Sequence, residues 1–197
     1  MKSDTLGRSS YAKISRLSCT VLHILDSNIT ENLLKSVQFN LSPPCKNLYN
    51  FIFNLISDSQ LSLPLVLVSL KYAQIYYLSK SRQLTDVKLI FLISVIAANK
   101  FLDDNRLANT WWSSISNIEI NLLNKSELKF YKDLRFNLHL RGKEYVEWVE
   151  EMTSIGKWIE NIKNEERGKS GANTIKSMQV KYAMMDIIEE SSEKRRS

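Results

Sequence analysis

A chain of 197 residues with 44% apolar side chains is long enough for one domain with short appendages, and it carries ample material for a core. Its 27 lysines and arginines stand against 21 acids, a net charge of +6, but the basic residues are scattered and no nucleic-acid-binding spacing accompanies them, so a nucleic-acid partner is not expected. Two distant cysteines, Cys19 and Cys45, and an apolar stretch at Val21 to Leu25 too short for a secretory signal lead us to expect a reduced intracellular protein, cytoplasmic or nuclear.

From Tyr11 the spacing predicts a helix, with Tyr11, Ile14, Leu17, Val21, Leu22 and Leu25 on one face, Ser9 or Ser10 as N-cap and Asp26-Ser27-Asn28 as the stop. A short amphipathic piece with Leu33, Leu34 and Val37 is expected after Thr30, interrupted by Ser42-Pro43-Pro44. Leu48, Phe51, Ile52, Leu55 and Ile56 then give the cleanest helical stripe, ending at Ser57-Asp58-Ser59. Leu63 to Val68 could pass for a strand. Pro64 suits a first helical position, however, and Leu67, Leu70, Gln74, Tyr77 and Leu78 continue at helical spacing, so a helix is predicted.

Thr85 is the expected N-cap of the next helix, which runs to about Leu102 and is apolar from Leu89 to Ala98 except at Ser94. A helix apolar on every side is one surrounded by others, and this one falls well short of the roughly 20 residues that cross a bilayer. We therefore expect no membrane partner. Asn105 to Ser116 carries Leu107, Trp111, Trp112 and Ile115, a stripe whose aromatics bring large buried area, and a helix from about Ile118 to Leu134 follows. Arg141-Gly142 breaks the pattern before a further amphipathic helix with Tyr145, Trp148, Val149 and Met152. A polar linker is expected over 161–171. Beyond it, Ile175, Met178, Tyr182, Met185 and Ile188 restore a helical stripe.

Two charges interrupt this apolar order. In the helix from Ile118, the stripe Ile120, Leu123, Phe130 and Leu134 is completed by Glu127, and in the helix before it Lys100 falls into the series Leu89, Ile93, Ala97, Lys100, Asp104. Losing one partner of a buried ion pair costs roughly 3–5 kcal/mol, so each charge needs a counterpart. Lys100 and Glu127 can face each other where the two helices meet and be presented to another molecule. They can equally form a purely internal bridge, or stay in water if the stripe is rotated.

Lys100-Phe101-Leu102-Asp103-Asp104, Asn109, Trp112, Ile115, Ile118, Leu123-Asn124, Glu127 and the phrase from Phe130 to Leu138 fall in the order and spacing of the cyclin box of the fungal PHO-type (PCL) cyclins. The chain resembles a divergent, single-box member of that family, without a gap over this stretch and more loosely back to about Leu63. The resemblance implies an all-α fold: a five-helix cyclin box from Pro64 to about Met152, with extra helices at both ends. It divides the chain into an N-terminal extension (1–45), a cyclin-box domain with its preceding helix (46–154) and a polar linker with a C-terminal helix (155–197). It further implies a regulatory subunit, not an enzyme, that binds and activates a cyclin-dependent Ser/Thr protein kinase of the fungal phosphate and cell-cycle type. Lys100 and Glu127 match the residues that grip the kinase backbone near its mobile C-helix. Asp103 and Asp104 would add charge at the rim, and Phe101 and Trp112 contact area.

Several positions depart from the family. Ser116-Asn117 stands where many members have Gly-Gly, Leu122 replaces an acid, Lys80 stands where arginine is usual, and the Met-Arg-x-Ile-Leu docking patch of mitotic cyclins is missing between Val68 and Leu78. Arg135-Phe136-Asn137-Leu138 matches a degradation-box core, but it sits inside the family's folded phrase, and a structural role is preferred.

Little else suggests chemistry. His23 and His139 lie far apart without a neighbouring acid and nucleophile, so no catalytic site is expected. Gly168-Lys169-Ser170 lacks the earlier glycine of a phosphate loop, position 163 being Lys163. Asp103, Asp104 and Asn109 could be imagined around a hard cation, but ending a helix is the simpler role, and neither cofactor nor small-molecule substrate is expected. The alternative function is a helical scaffold or transcription-associated binding protein that uses the same box without a kinase.

Overall fold

The computed structural model describes residues 7–27, 43–79 and 84–166, excepting the side chains at 27, 43–45, 158 and 161–166. Among them the only regular structure is α-helix, so the fold class is all-α. The helices are α1 (Arg8–Ser27), α2 (Pro43–Asp58), α3 (Leu63–Leu78), α4 (Val87–Leu102), α5 (Asn109–Ser116), α6 (Ile120–Asp133) and α7 (Gly142–Glu166). The expected piece after Thr30, Lys80, the Gly168-Lys169-Ser170 stretch and the stripe from Ile175 to Ile188 lie outside the described residues. The described chain falls into two compact units, one of residues 7–27 and 43–139 and one of 140–166.

In the first unit, α3 and α4 form the interior. Burial of α4 extends without interruption from Leu89 to Asn99, as its all-apolar sequence predicts. α3 is more deeply buried than a single stripe implies, from Leu65 to Leu70 and again at Tyr72, Ala73, Gln74, Tyr76 and Tyr77. The reason is that it packs most extensively against α4 while α1 also lies against it. Leu63 to Val68 is helix and not strand, with Pro64 in the first turn, where its missing N–H is not needed.

Buried hydroxyls are accommodated locally. Ser94 donates to the Ile90 carbonyl (2.8 Å) on α4, and on α1 Ser15, Ser18 and Thr20 donate to the carbonyls four residues back at 2.7, 2.9 and 2.9 Å. Leu22, Ile52, Ile56, Leu70 and Ile90 are fully buried. Each such side chain contributes about 1.5–3 kcal/mol relative to exposure.

Several helix ends differ from expectation. Pro43-Pro44 opens α2 rather than interrupting a helix, again because the first turn tolerates proline. α1 begins at Arg8, with the Gly7 carbonyl accepting from the Ser10 and Tyr11 amides, so Ser9 and Ser10 lie inside the helix and neither is the N-cap. The cap of α4 is Asp86 and not Thr85: its carboxylate accepts from the Lys88 amide at 2.9 Å and the Leu89 amide at 3.4 Å. A charged acceptor at a helix N-terminus also meets the positive end of the helix dipole, which a threonine hydroxyl does not exploit. α7 continues to Glu166, so the first part of the expected linker is helical and the expected boundary near residue 154 falls within this helix.

α6 packs against α4 and α5. Phe130 of α6 stacks on Tyr76 of α3 with ring centroids 4.9 Å apart, and Ser79 donates to the Asp133 carbonyl (3.2 Å). After α6 the chain turns through Arg135 and Phe136, both in the left-handed region, with their amides donating to the Lys132 and Tyr131 carbonyls. Tyr72 closes this turn by donating to the Leu138 carbonyl (2.7 Å), and burial pushes its phenol up to about 12. Residues 135–138 thus form a hydrogen-bonded turn.

Candidate functional site

The last turn of α4, the first turn of α5 and the middle of α6 bring four polar side chains together. Lys100 ends the apolar run of α4, Asn109 opens α5, and Glu127 occupies the buried stripe of α6 between Leu123 and Phe130. Lys100 Nζ lies 2.7 Å from Glu127 Oε1 and 2.9 Å from Oε2. Asn109 Nδ2 donates to Oε2 at 2.6 Å and the Tyr131 hydroxyl to Oε1 at 2.8 Å. The Lys100 side chain remains 33% exposed and that of Glu127 10%.

Burial pushes the Glu127 carboxyl up, but the hydrogen bonds from Lys100, Asn109 and Tyr131 and the lysine charge more than offset it, so the group ionises below its usual range. Burial and the adjacent carboxylate push the Tyr131 hydroxyl strongly upward, which keeps it a proton donor at neutral pH. The carboxylate is therefore ionised and held from three sides.

The other expected site residues divide into two groups. Phe101, Asp103 and Asp104 are exposed beside the cluster in sequence, and Phe101 retains 51% of its surface. Asp103 is the C-cap of α4; its Oδ1 accepts from the Asn105 amide (3.0 Å) and its Oδ2 from Asn99 Nδ2 (3.4 Å). Trp112 does not provide contact area: its side chain is 0% exposed, because it is the one residue of the short α5 turned fully inward. It meets Trp111 edge-on with ring centroids 5.0 Å apart, and its Nε1 has no hydrogen-bond partner among the described residues. Asn109 Nδ2 serves Glu127 and Asn124, while the Asp103 carboxylate serves Asn99 and Asn105 at the end of α4.

Two participants were not singled out for this role by the pattern. Tyr131 lies four residues after Glu127, and that spacing on one helix face is the signal that could have found it. Asn109 is signalled only by tertiary placement, because α5 and α6 must pack before its amide meets the carboxylate. Asn109 Nδ2 also donates to Asn124 Oδ1 (2.8 Å), while Asn109 Oδ1 is buried with no partner among the described residues. Leaving such an acceptor unmatched costs about 1–3 kcal/mol.

On its outer face α6 exposes Leu122, Lys125, Leu128 and Lys132, Leu128 to 50%. Phe136, 66% exposed, stacks on the Tyr131 ring at 6.3 Å. A part-exposed ion pair with an exposed phenylalanine ring stacked on one of its hydrogen-bond donors is suited to contact with another polypeptide. Among the described residues no helix is long and apolar enough to cross a membrane, and no group of three or more His, Cys, Asp or Glu is placed to hold a metal ion. Comparison with protein-family models, curated proteins and solved structures finds no match to this chain.

Proposed function

We propose that the chain is a cyclin-like regulatory subunit that binds a cyclin-dependent Ser/Thr protein kinase and biases it toward its active arrangement, without catalysing a reaction itself. One observation carries the proposal: Lys100 and Glu127, read from sequence as a matched pair, meet across α4 and α6 with the lysine still a third exposed. The backbone at Asn117 adds support. It lies at φ 56°, a conformation suited to glycine and tolerated by asparagine, which accounts physically for asparagine at the second of the two positions where many PHO-type cyclins have Gly-Gly. A subunit that binds only the active conformer shifts the kinase by its differential affinity, and about 5.5 kcal/mol moves an equilibrium from 1:99 to 99:1.

The four hydrogen bonds at Glu127 favour a second reading, in which the pair is only an internal strut of a helical scaffold. Affinity purification of the full chain from fungal cells separates the two. A cyclin-dependent kinase is expected in the eluate, and Lys100→Ala should release it while circular dichroism still reports a folded helical protein. Absence of the kinase, or its retention by a folded Lys100→Ala variant, overturns the proposal.

A further inference from the structure

The basic residues are scattered along the sequence, but α6 gathers three of them. At about 100° per residue, Lys125, Lys129 and Lys132 share the side of the helix opposite Glu127, in a row about 10 Å long. Lys125 and Lys132 are exposed and Lys129 is half-buried. Leu122 and Leu128 flank the row, one on each side, and are 48% and 50% exposed.

Among the described residues this row is not neutralised, since none of the three lysines forms an ion pair. Glu119 is committed to the N-terminus of α6, where it accepts from the Asn121 and Leu122 amides at 3.0 and 3.1 Å. Asp133, one turn after Lys129, keeps its Oδ2 buried without a hydrogen-bond partner. Lysines three and four residues apart on one helix repel each other, so the row works against the stability of the free helix. Only Lys132, in the last turn, gains from the negative end of the helix dipole.

We propose that this outer face of α6 docks an acidic amphipathic helix of a partner protein, a row of carboxylates meeting Lys125, Lys129 and Lys132 while apolar side chains beside that row cover Leu122 and Leu128. Acids three or four residues apart on the partner reproduce the lysine spacing. The face lies across the helix from the Lys100–Glu127 cluster and does not depend on the kinase reading. The order of side chains across it separates this partner from other anionic surfaces. A helix lying on a membrane buries a central apolar strip and keeps lysines at its margins, whereas α6 has lysines in the centre and leucines at the margins. A nucleic acid would set both leucines against a charged backbone, and the row holds no aromatic side chain on which a base could stack.

The test measures, by fluorescence anisotropy, binding to the full chain of a labelled synthetic helix with glutamates in one row and leucines on either side of it. Binding is expected to weaken as salt is raised, and a peptide of the same composition with its glutamates spread around the helix is expected to bind at least about tenfold more weakly. Lys125→Glu with Lys129→Glu should weaken binding more than about tenfold and Leu122→Ser with Leu128→Ser about threefold, while reversal of two exposed bases elsewhere, Lys46→Glu with Arg106→Glu, should stay within about twofold. Circular dichroism checks that each variant is folded. Should the lysine reversal fail to fold, Lys125→Gln with Lys129→Gln removes the charges without adding repulsion, and a loss of about fivefold is expected. No binding by the wild-type chain, equal binding of the two peptides, or equal loss in the two charge-reversed pairs overturns the proposal. So does binding of phosphatidylserine vesicles or duplex DNA through the same lysines in preference to the peptide.

Discussion

Glu127 is the side chain whose protonation is most tightly tied to the fold. Its carboxyl ionises below the ordinary value of 4.5, so folding favours the charged form, and the associated stability is fully present above that value and lost as pH falls through the lower, folded one. Glu127→Gln lacks this contribution. In urea unfolding the wild type should exceed Glu127→Gln in stability at pH 6, and the gap should narrow toward pH 3; a gap independent of pH would mean that the carboxylate is not held as the geometry indicates. Lys100 sits between two regimes. An exposed ion pair contributes up to about 1 kcal/mol, whereas breaking a buried one costs about 3–5, so Lys100→Ala, which leaves Glu127 its bonds from Asn109 and Tyr131, should cost about 1–2 kcal/mol.

At the scale of elements, helix ends carry predictions of their own. Asn117 closes α5 in the left-handed region, where a residue with a Cβ is disfavoured by roughly 1–2 kcal/mol unless it is asparagine or aspartate. Asn117→Gly should keep or slightly raise the urea midpoint, and Asn117→Ala should lower stability by about 1 kcal/mol. Asp86→Ala removes the cap of α4 and should cost about 1 kcal/mol, while Thr85→Ala, outside that cap, should change little on the same measurement. The sequence pointed to Thr85, one residue too early, because only the backbone decides which side chain reaches the free amides. The helices themselves were legible from spacing, as Leu48 to Ile56 and Leu89 to Ala98 illustrate, because a helix period survives without tertiary information. The burial of Trp112 was legible as part of the aromatic stripe over Asn105 to Ser116, and it is this burial that removes the contact role the resemblance gave the residue. The pairing of Lys100 with Glu127 was legible as two charges breaking two apolar stripes. Asn109 belongs to no stripe and reaches the carboxylate only through the packing of α5 on α6.

For the molecule as a whole, binding and stability are linked, and that linkage separates a docking surface from an internal strut. A partner that binds only the folded chain raises its stability by mass action, about 2.7 kcal/mol when the free partner is at a hundred times its dissociation constant. For a chain of this size each kcal/mol moves the thermal midpoint by roughly 2–4 °C. On the kinase-binding proposal, adding a purified cyclin-dependent kinase should therefore raise the midpoint of the wild-type chain by several degrees in a concentration-dependent way. Differential scanning fluorimetry of a chain labelled at an engineered surface position isolates its signal from that of the kinase. Lys100→Ala should begin a few degrees lower on its own, since it gives up the pair, and should then show no shift at concentrations of kinase that stabilise the wild type. A strut behaves differently: Lys100→Ala lowers the midpoint of the free chain by the same few degrees, but the kinase moves neither protein. The response to the kinase, and not the stability lost on mutation, is thus the quantity that assigns Lys100 to an interface.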